Sequence, residues 1–326
     1  MSGRPVKVGV IGTGALGYHH ARLYRTLPDA ELVGIFDIAP DRAAQVAREL
    51  GTRAFPSLAG LLEGIEAASV VVPTSHHTEV GVAVLERGIH ALVEKPLADT
   101  VPGAERLVAA AERAGVKLQV GHVERFNRAV RAALPYLEAP RFLQSERLAP
   151  FSPRGTDVAV ILDLMIHDLD LVLELVRSPV TEVRATGVAI LTPHVDIANA
   201  RVEFANGAVA LITASRVSRE RTRKLRVFQP TGYFSLDLAA GGGHYYRLKP
   251  EWQALKAQKI EDVVEHVRLE APEAEPLKLE LQSFLAAVRG ESDVIVSGAA
   301  GAQALALALR VAEAVQASPA TVARGP

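Results

Sequence analysis

The stretch that decides the fold is VKVGVIGTGALG, residues 6–17, in which an apolar run leads directly into three closely spaced glycines. The run Val6–Ile11 predicts a buried β-strand, and the glycines follow the spacing G-x-G-x-x-G. Gly12 allows a tight turn, Gly14 lets the backbone approach a pyrophosphate, and Gly17 lets helix and strand pack closely. A helix that begins here would hold the phosphates at its positive N-terminal end.

Asp37 supports a dinucleotide site because it stands twenty residues past Gly17, at the end of the second predicted strand. A carboxylate in that position accepts hydrogen bonds from the adenosine ribose and repels a 2′-phosphate. The sequence therefore predicts NAD as the cofactor, with NADP less favoured. Arg42 is the nearby cation that tempers this preference, and a purely structural glycine turn is the alternative.

The first 120 residues alternate short β-rich runs with helical patterns throughout. The runs are Val6–Ile11, Glu31–Phe36, Ala68–Val72, His90–Val93 and Lys117–Val120, and the helical patterns are Leu16–Thr26, Asp41–Leu50, Glu79–Arg87 and Pro102–Ala114. This order predicts an α/β fold with a doubly wound parallel sheet, a dinucleotide-binding Rossmann domain over residues 1–122.

After Pro140 the pattern changes to longer β runs with few helices between them. Strands are predicted at Arg141–Leu148, Val180–Leu191, Ile197–Phe204, Ala208–Ser215, Lys224–Gln229 and Tyr233–Leu238, and helices at 157–177, Leu277–Arg289 and Ala299–Ala317. We therefore predict a second α/β domain over residues 123–326 with a largely antiparallel open sheet. The basic run Arg216–Arg226 is expected to be a hairpin connection between strands. It could reach phosphates of a neighbouring subunit or form a solvated basic loop, and the solvated loop is favoured.

Composition narrows the possible functions of the 326-residue chain. Its formal net charge of −1 creates no global field that would attract nucleic acid or an anionic membrane. No apolar run is expected to span a bilayer, and the N-terminus lacks a signal-peptide pattern. Cysteine is absent, which excludes disulfides and thiolate zinc sites and fits a cytoplasmic protein.

Polar side chains follow three of the predicted parallel strands where each strand ends. These positions are Thr74 and His77 after the third strand, Glu94, Lys95 and Pro96 after the fourth, and Glu124, Arg125 and Asn127 after the fifth. Open α/β sheets bind ligands outside the carboxyl ends of their strands, so we expect a binding cleft there. An ordinary polar loop is the alternative for each cluster taken alone.

The helical stretch LDLMIHDLDLVLEL, residues 162–175, carries a polar stripe among leucines. At helical spacing Asp163, His167, Asp170 and Glu174 share one narrow face, and buried carboxylates are costly unless they are paired or wet. A solvated edge, a metal site and an acid/base site are the three interpretations. We expect no metal, and we expect structural roles for Asp170 and Glu174, either capping or pairing with arginine.

Three motifs taken in order, GTGALG, EKP and the D-x-x-x-H of the 162–175 helix, resemble the Gfo/Idh/MocA family of nicotinamide-dependent oxidoreductases. The stretches GHVERFN, VDIANARVEFANG and APFSPRGTDVAVILDLMIHDLDLVLELV are similar to bacterial UDP-N-acetylglucosamine 3-dehydrogenases. Many members have glycine within D-x-G-x-H, whereas this chain has Met165 there. That departure puts the carry-over of any one member's substrate in doubt.

The resemblance implies a Rossmann domain and an α/β domain whose open sheet mediates contacts in a homodimer or homotetramer. It also implies that Lys95, Asp163 and His167 lie beside the nicotinamide and that the Lys95–Pro96 bond is cis. The residues expected to bind the cofactor are Gly12, Gly14, Ala15, Leu16, Gly17, Asp37, Thr74, His77, Glu94, Lys95 and Pro96.

The function that follows is NAD-dependent oxidation of a sugar secondary hydroxyl, with UDP-N-acetylglucosamine at C3 as the specific expectation. His167 would take the hydroxyl proton while Lys95 polarises the oxygen, and the reverse assignment stays open. Arg125, Arg147 and Arg154 are the candidates for the diphosphate. The residues expected to bind the substrate are Glu124, Arg125, Asn127, Arg154, Asp163 and His167.

Other functions remain open on the sequence. The same chemistry could serve another sugar or an inositol, and a glycosidase could use bound NAD for transient oxidation. A regulatory protein that binds NAD without turnover belongs to another class, and the three residues Lys95, Asp163 and His167 argue against it.

Replacing Asp37 by serine should weaken NAD binding and improve NADP binding, because the change removes the carboxylate that accepts from the ribose and repels a 2′-phosphate. Dissociation constants for both cofactors, measured by fluorescence titration, test this. Unchanged discrimination in Asp37→Ser would remove Asp37 from the cofactor site.

Overall fold

The protein forms two compact units in a computed structural model that describes residues 4–153, 155, 158–254 and 259–318. The first unit comprises Met1–Val123 and Ala274–Leu305, and the second comprises Glu124–Glu273 and Ala306–Pro326. The division after residue 122 that the sequence suggests therefore lies beside an observed boundary. The C-terminal segment differs from that division, because part of it packs with the first unit.

Five parallel strands in the order β2-β1-β3-β4-β5 form the sheet of the first unit. They are β1 (Val6–Ile11), β2 (Ala30–Phe36), β3 (Ala67–Val70), β4 (His90–Glu94) and β5 (Leu118–Gly121). The helices between them are α1 (Ala15–Tyr24), α2 (Pro40–Leu50), α3 (Leu58–Leu62), α4 (His77–Leu85) and α5 (Val101–Ala114). The predicted Rossmann sheet is confirmed, and only the short α3 was missed.

A second sheet of eight strands, in the order β13-β12-β11-β10-β6-β9-β8-β7, dominates the second unit. Its strands are β6 (Phe142–Leu148), β7 (Val180–Val188), β8 (Ile197–Phe204), β9 (Val209–Ser215), β10 (Thr222–Gln229), β11 (Gly232–Asp237), β12 (Gly242–Leu248) and β13 (Val264–Leu269). All neighbours pair antiparallel except β6 and β9. The prediction missed β12 and β13, since glycines at 241–243 hide the alternating pattern.

Because β6 lies between β9 and β10, the segment between those two strands is not the hairpin connection that the sequence suggested. It crosses over the end of β6, and Ala149, just past β6, receives the amide hydrogen bond of Ser218. The backbone of this segment is therefore held against the second unit at one end of its sheet.

The helices of the second unit include α6 (Arg128–Ala133), α7 (Ile166–Val176) and α8 (Ile260–Val263). A π-helical turn over Ile161–Met165 leads directly into α7. Such turns are rare in proteins, and those that do occur are frequently found at functional sites. The predicted helix at 157–177 is thus shorter than expected, and its first residues form a wider turn that includes Asp163.

Two helices close the chain, α9 (Pro276–Val288) and α10 (Gly298–Ala317). Leu281, Phe284 and Leu285 of α9 are buried in one core with residues of β1 and α1. Periodicity shows that a helix has an apolar face but not which core covers it, which is why the sequence placed α9 in the other domain.

By length and composition α10 is apolar enough to cross a membrane, contrary to the expectation from the sequence. Its apolar side chains, among them Leu305, Leu307 and Val311, are buried within the protein. A core helix passes the same test of length and composition, so this finding is weak support for a membrane span.

Candidate active site

The glycine-rich turn after β1 is shaped for close approach of a ligand. Gly12 has φ +88°, and a Cβ there would lie 2.4 Å from the carbonyl oxygen of Val71. At Gly17 a Cβ would lie 1.9 Å from the carbonyl oxygen of Gly12, whereas at Gly14 it would meet nothing within 4 Å. Ala15 and Leu16 are exposed at the start of α1. The turn therefore fits a pyrophosphate at a helix N-terminus.

Asp37 is fixed beside this turn at the end of β2. One carboxylate oxygen, Oδ2, accepts from the amide of Thr13 at 2.6 Å and from its hydroxyl at 2.8 Å, and Oδ1 accepts from the amide of Ala39 at 2.9 Å. Burial by itself raises the pKa of Asp37, but these hydrogen bonds and the Arg42 charge outweigh it and hold the pKa below its ordinary value. Asp37 is thus a fixed anion.

Arg42 has a partner within the same turn. Its Nε donates to the carbonyl oxygen of Thr13 at 2.9 Å. This bond ties the start of α2 to the glycine turn. It also occupies one donor of the Arg42 guanidinium, the nearby cation that could have favoured a 2′-phosphate. The donor set around the turn fits NAD for this reason.

Glu94, at the end of β4, is a buried carboxylate that stays charged. Its Oε1 lies 3.1 Å from Nε2 of His20, and its Oε2 accepts from the amide of Lys95 at 3.2 Å. A Cβ at Gly121 would lie 2.7 Å from Oε1, so only glycine leaves room for this carboxylate. Burial by itself raises the pKa of Glu94, but His20 and Lys95 outweigh it and lower the pKa. The Lys95–Pro96 bond is cis.

A buried hydrogen-bond chain continues from Glu94 into the core of the first unit. Nδ1 of His20 lies 3.1 Å from the hydroxyl of Ser69, which lies 3.0 Å from the hydroxyl of Tyr24. Burial raises the pKa of Tyr24. The sequence reasoning missed all three residues, although polar side chains on the inner faces of α1 and β3 were a signal that could have found them.

His77 braces the turn that carries Lys95. Its ring is buried, with Nδ1 2.8 Å from the carbonyl oxygen of Pro96 and Nε2 2.9 Å from that of Val72. Burial lowers the pKa of His77, and a neutral ring donates to only one of these two oxygens. Thr74 begins a short 3-10 turn (Thr74–His76) just before it. Cofactor contacts by Thr74 and His77 stay predictions.

Asp163 and His167 occupy the start of the helix in the second unit and are both partly exposed. Asp163 lies in the π-helical turn and His167 in the first turn of α7. Gly155, with φ +71°, is so close that a Cβ there would lie 2.8 Å from Oδ2 of Asp163. Met165 points into the core and is fully buried. The departure from D-x-G-x-H therefore changes core packing.

Arg125 forms a buried cluster with the far end of the polar stripe. Its Nε and one terminal nitrogen bind both carboxylate oxygens of Asp170 at 2.6 and 2.8 Å, and its other terminal nitrogen binds Glu174. Burial by itself lowers the pKa of Arg125, but these carboxylates outweigh it and raise the pKa. The prediction that Asp170 and Glu174 pair with arginine is confirmed.

Arg147 makes a second buried cluster with Asp168 and Glu124. Its Nε donates to Asp168 at 2.6 Å, and a terminal nitrogen donates to Oε1 of Glu124 at 2.8 Å. The amide nitrogen of Asn127 donates to the other oxygen of Glu124 at 2.9 Å and to the carbonyl oxygen of Leu238 at 2.8 Å. Roles of Glu124, Arg125 and Asn127 in substrate binding stay predictions, now beside these structural roles.

Two further expectations concern Arg154 and a metal. Arg154 lies outside the described residues. Among residues 4–153, 155, 158–254 and 259–318, no group of three or more histidine and carboxylate side chains is arranged to hold a metal ion. In the rival set of Asp163, His167 and Asp170, both oxygens of Asp170 are bound by Arg125.

Comparisons with known proteins agree with this geometry. Residues 6–122 match a sequence family described as an oxidoreductase family with an NAD-binding Rossmann fold. Residues 131–235 match the GFO/IDH/MocA C-terminal domain. The scyllo-inositol 2-dehydrogenase (NAD(+)) of Bacillus subtilis is 32% identical, over 65% of this chain and 68% of its own length.

The UDP-N-acetylglucosamine 3-dehydrogenase of Acidithiobacillus ferrooxidans is 40% identical over 96% of this chain and 98% of its own length. A solved structure of that enzyme superposes with a TM-score of 0.88 at 38% identity, covering 96% of this chain and 98% of the other. A levoglucosan dehydrogenase in complex with NADH and levoglucosan shares the fold, with a TM-score of 0.84 at 19% identity over 96% and 98% of the two chains.

Replacing His20 by alanine should lower the free energy of unfolding by about 3 kcal/mol, because it leaves the buried Glu94 carboxylate without its hydrogen-bond partner on the His20 ring. Urea unfolding at neutral pH measures this. The exposed neighbour His19 provides the matched control, and His19→Ala should change stability by less than about 0.5 kcal/mol. Equal effects of the two changes would contradict the role of His20.

Proposed function

The chain is an NAD-binding oxidoreductase of the Gfo/Idh/MocA family, and we propose that it oxidises the C3 hydroxyl of UDP-N-acetylglucosamine to the 3-keto nucleotide sugar. One observation carries the choice of substrate. The similarity to the A. ferrooxidans enzyme extends over 96% of the chain, including the second unit, whereas the B. subtilis inositol dehydrogenase matches over 65%.

The first unit supplies the cofactor site in this proposal. Gly12, Gly14 and the exposed start of α1 hold the pyrophosphate, and Asp37 accepts hydrogen bonds from the adenosine ribose. NAD, when bound, accepts the hydride that leaves the sugar carbon. Thr13 of the glycine turn donates to the carboxylate of Asp37 and so holds it in place. Arg42 donates to the carbonyl oxygen of Thr13 and so fixes the turn itself.

Proton transfer falls to His167, with Asp163 one helical turn earlier to orient the ring and stabilise its cationic form. Lys95 acts as a charged donor that polarises the sugar oxygen. Two observations support the place of Lys95 in this division of labour. The amide of Lys95 donates to the buried carboxylate of Glu94, which fixes the backbone that carries the lysine, and the charge of Lys95 lowers the pKa of Glu94.

The outer face of the second sheet is the surface through which we expect copies of the chain to associate. A cross-strand row of rings, Phe142, Phe228, Tyr233, Tyr246 and His266, runs along this face with neighbouring centroids 4.7–5.8 Å apart. Partly exposed aromatic side chains of this kind are enriched in protein interfaces. A homodimer or homotetramer, a cytoplasmic location and the absence of nucleic acid or membrane partners remain predictions.

The test of the proposed function is NADH formation from NAD and UDP-N-acetylglucosamine, with hydrazine present to trap the ketone. Free N-acetylglucosamine and myo-inositol serve as controls. NADH formation with the nucleotide sugar alone supports the proposal. NADH formation with myo-inositol alone favours the alternative that the protein is an inositol dehydrogenase. Bound NAD without turnover of any of the three would favour the regulatory alternative.

Replacing His167 by asparagine or Lys95 by methionine should lower kcat by about 10²–10⁴, because each change removes a group used in proton transfer. Affinity for NAD should change far less. Steady-state kinetics combined with NAD titration separates the two effects. A loss of about tenfold or less in both variants would overturn the assigned site.

A further inference from the structure

Two of the three arginines that the sequence favoured for the diphosphate, Arg125 and Arg147, are already occupied. The side chains of Arg125 and Arg147 are only 6% and 3% exposed, and each binds two carboxylates. A phosphate that took either guanidinium would leave buried carboxylates without their partner, which is strongly unfavourable. The cation for a nucleotide diphosphate has to be sought elsewhere in the second unit.

Arg223, at the start of β10, is in the opposite situation. Its side chain is 42% exposed, and its nearest carboxylate oxygen is Oε1 of Glu124 at 3.6 Å. That oxygen is held more tightly by Arg147, at 2.8 Å. The carboxylate of Glu124 is therefore largely neutralised by Arg147 and compensates the charge of Arg223 only in part. Within the described part of the chain, the guanidinium of Arg223 donates no hydrogen bond.

Two cations and two carboxylates surround Arg223. Arg223 lies directly opposite Arg147 in the pairing of β10 with β6, on the face of the sheet where Leu143 and Leu225 are buried. Burial and the charges of Arg147 and Arg221 lower the pKa of Arg223, and the opposing charges of Glu124 and Asp168, which are both paired with Arg147, do not cancel that shift. An arginine in such surroundings is stabilised by an anion, and phosphate oxygens match its planar fork.

The basic segment between β9 and β10 also lies at the same end of the second unit as the proposed proton acceptor. Arg216 donates to the carbonyl oxygens of Gly155 and Val158 at 2.5 and 2.7 Å. Gly155 is packed against the carboxylate of Asp163. At the other end of the segment, Arg223 is close enough to Asp168, the residue after His167, for that carboxylate by itself to raise the pKa of Arg223.

We propose that Arg223, assisted by the exposed Arg221, binds the diphosphate of the nucleotide-sugar substrate and selects it over free sugars and inositols. This inference rests on the proposed function and names the group that gives it specificity. The expectation of a solvated basic connection is wrong for Arg216, which is buried. Arg223 is partly exposed but belongs to strand β10. Arg219, like Arg221, is exposed in the same segment.

Isothermal titration of UDP into the NAD-bound protein tests this without requiring turnover. Arg223→Ala should weaken UDP binding by about 10- to 100-fold, the loss expected for charge-assisted hydrogen bonds. Arg223→Lys should lose less, since it keeps the charge and loses the fork. Arg219→Ala is the matched control and should change UDP affinity by less than about threefold. Melting temperatures and NAD affinities of all variants show that they are folded.

The outcomes separate this inference from the proposed function. If the wild type oxidises the UDP sugar and Arg223→Ala binds UDP normally, the inference falls and the function stands. If UDP binds through Arg223 but the UDP sugar is not oxidised, the function falls and the inference stands. An equal loss of UDP affinity in Arg219→Ala would indicate a general electrostatic attraction by the basic segment and overturn the specific role of Arg223. A wild-type protein that does not bind UDP would also overturn that role.

Discussion

Burial of a charged carboxylate at the end of β4 constrains the whole first unit. Glu94 remains ionised because His20 and the amide of Lys95 compensate it and because Gly121 leaves the space for it. His20 belongs to the helix that begins at the glycine turn, and Gly121 ends the last strand of the sheet. One buried carboxylate and its hydrogen-bond partners therefore tie the dinucleotide turn, the lysine-bearing turn and the edge strand into a fixed arrangement.

The second unit handles charge by a different rule. Arg125 and Arg147 are each saturated by two carboxylates of the 124–174 region, and these clusters fix the helix that bears His167 without being available to a ligand. Buried ion pairs of this kind contribute geometry more than stability. Arg223, which is incompletely neutralised, lies at the margin of the same cluster. Arginines with a structural role and the arginine proposed to bind a ligand thus differ in exposure and in partners, although they are the same type of residue.

Two features of the chain show packing that the local sequence does not reveal. Met165 replaces a common glycine and fills the core beneath the π-helical turn, while Asp163 keeps its place on the exposed side. Helix α9 follows the second sheet in sequence and yet completes the core of the first unit.

Local patterns determined much of this protein. The glycine spacing after β1, Asp37 after β2 and the alternation of strands and helices predicted the Rossmann sheet and NAD, because each depends on neighbours along the chain. Tertiary structure alone decided which arginines are occupied, which core receives α9, and that His20, Ser69 and Tyr24 extend a buried chain from Glu94. These depend on contacts between residues far apart in sequence, and hydrophobic periodicity shows that a face is buried without identifying what covers it.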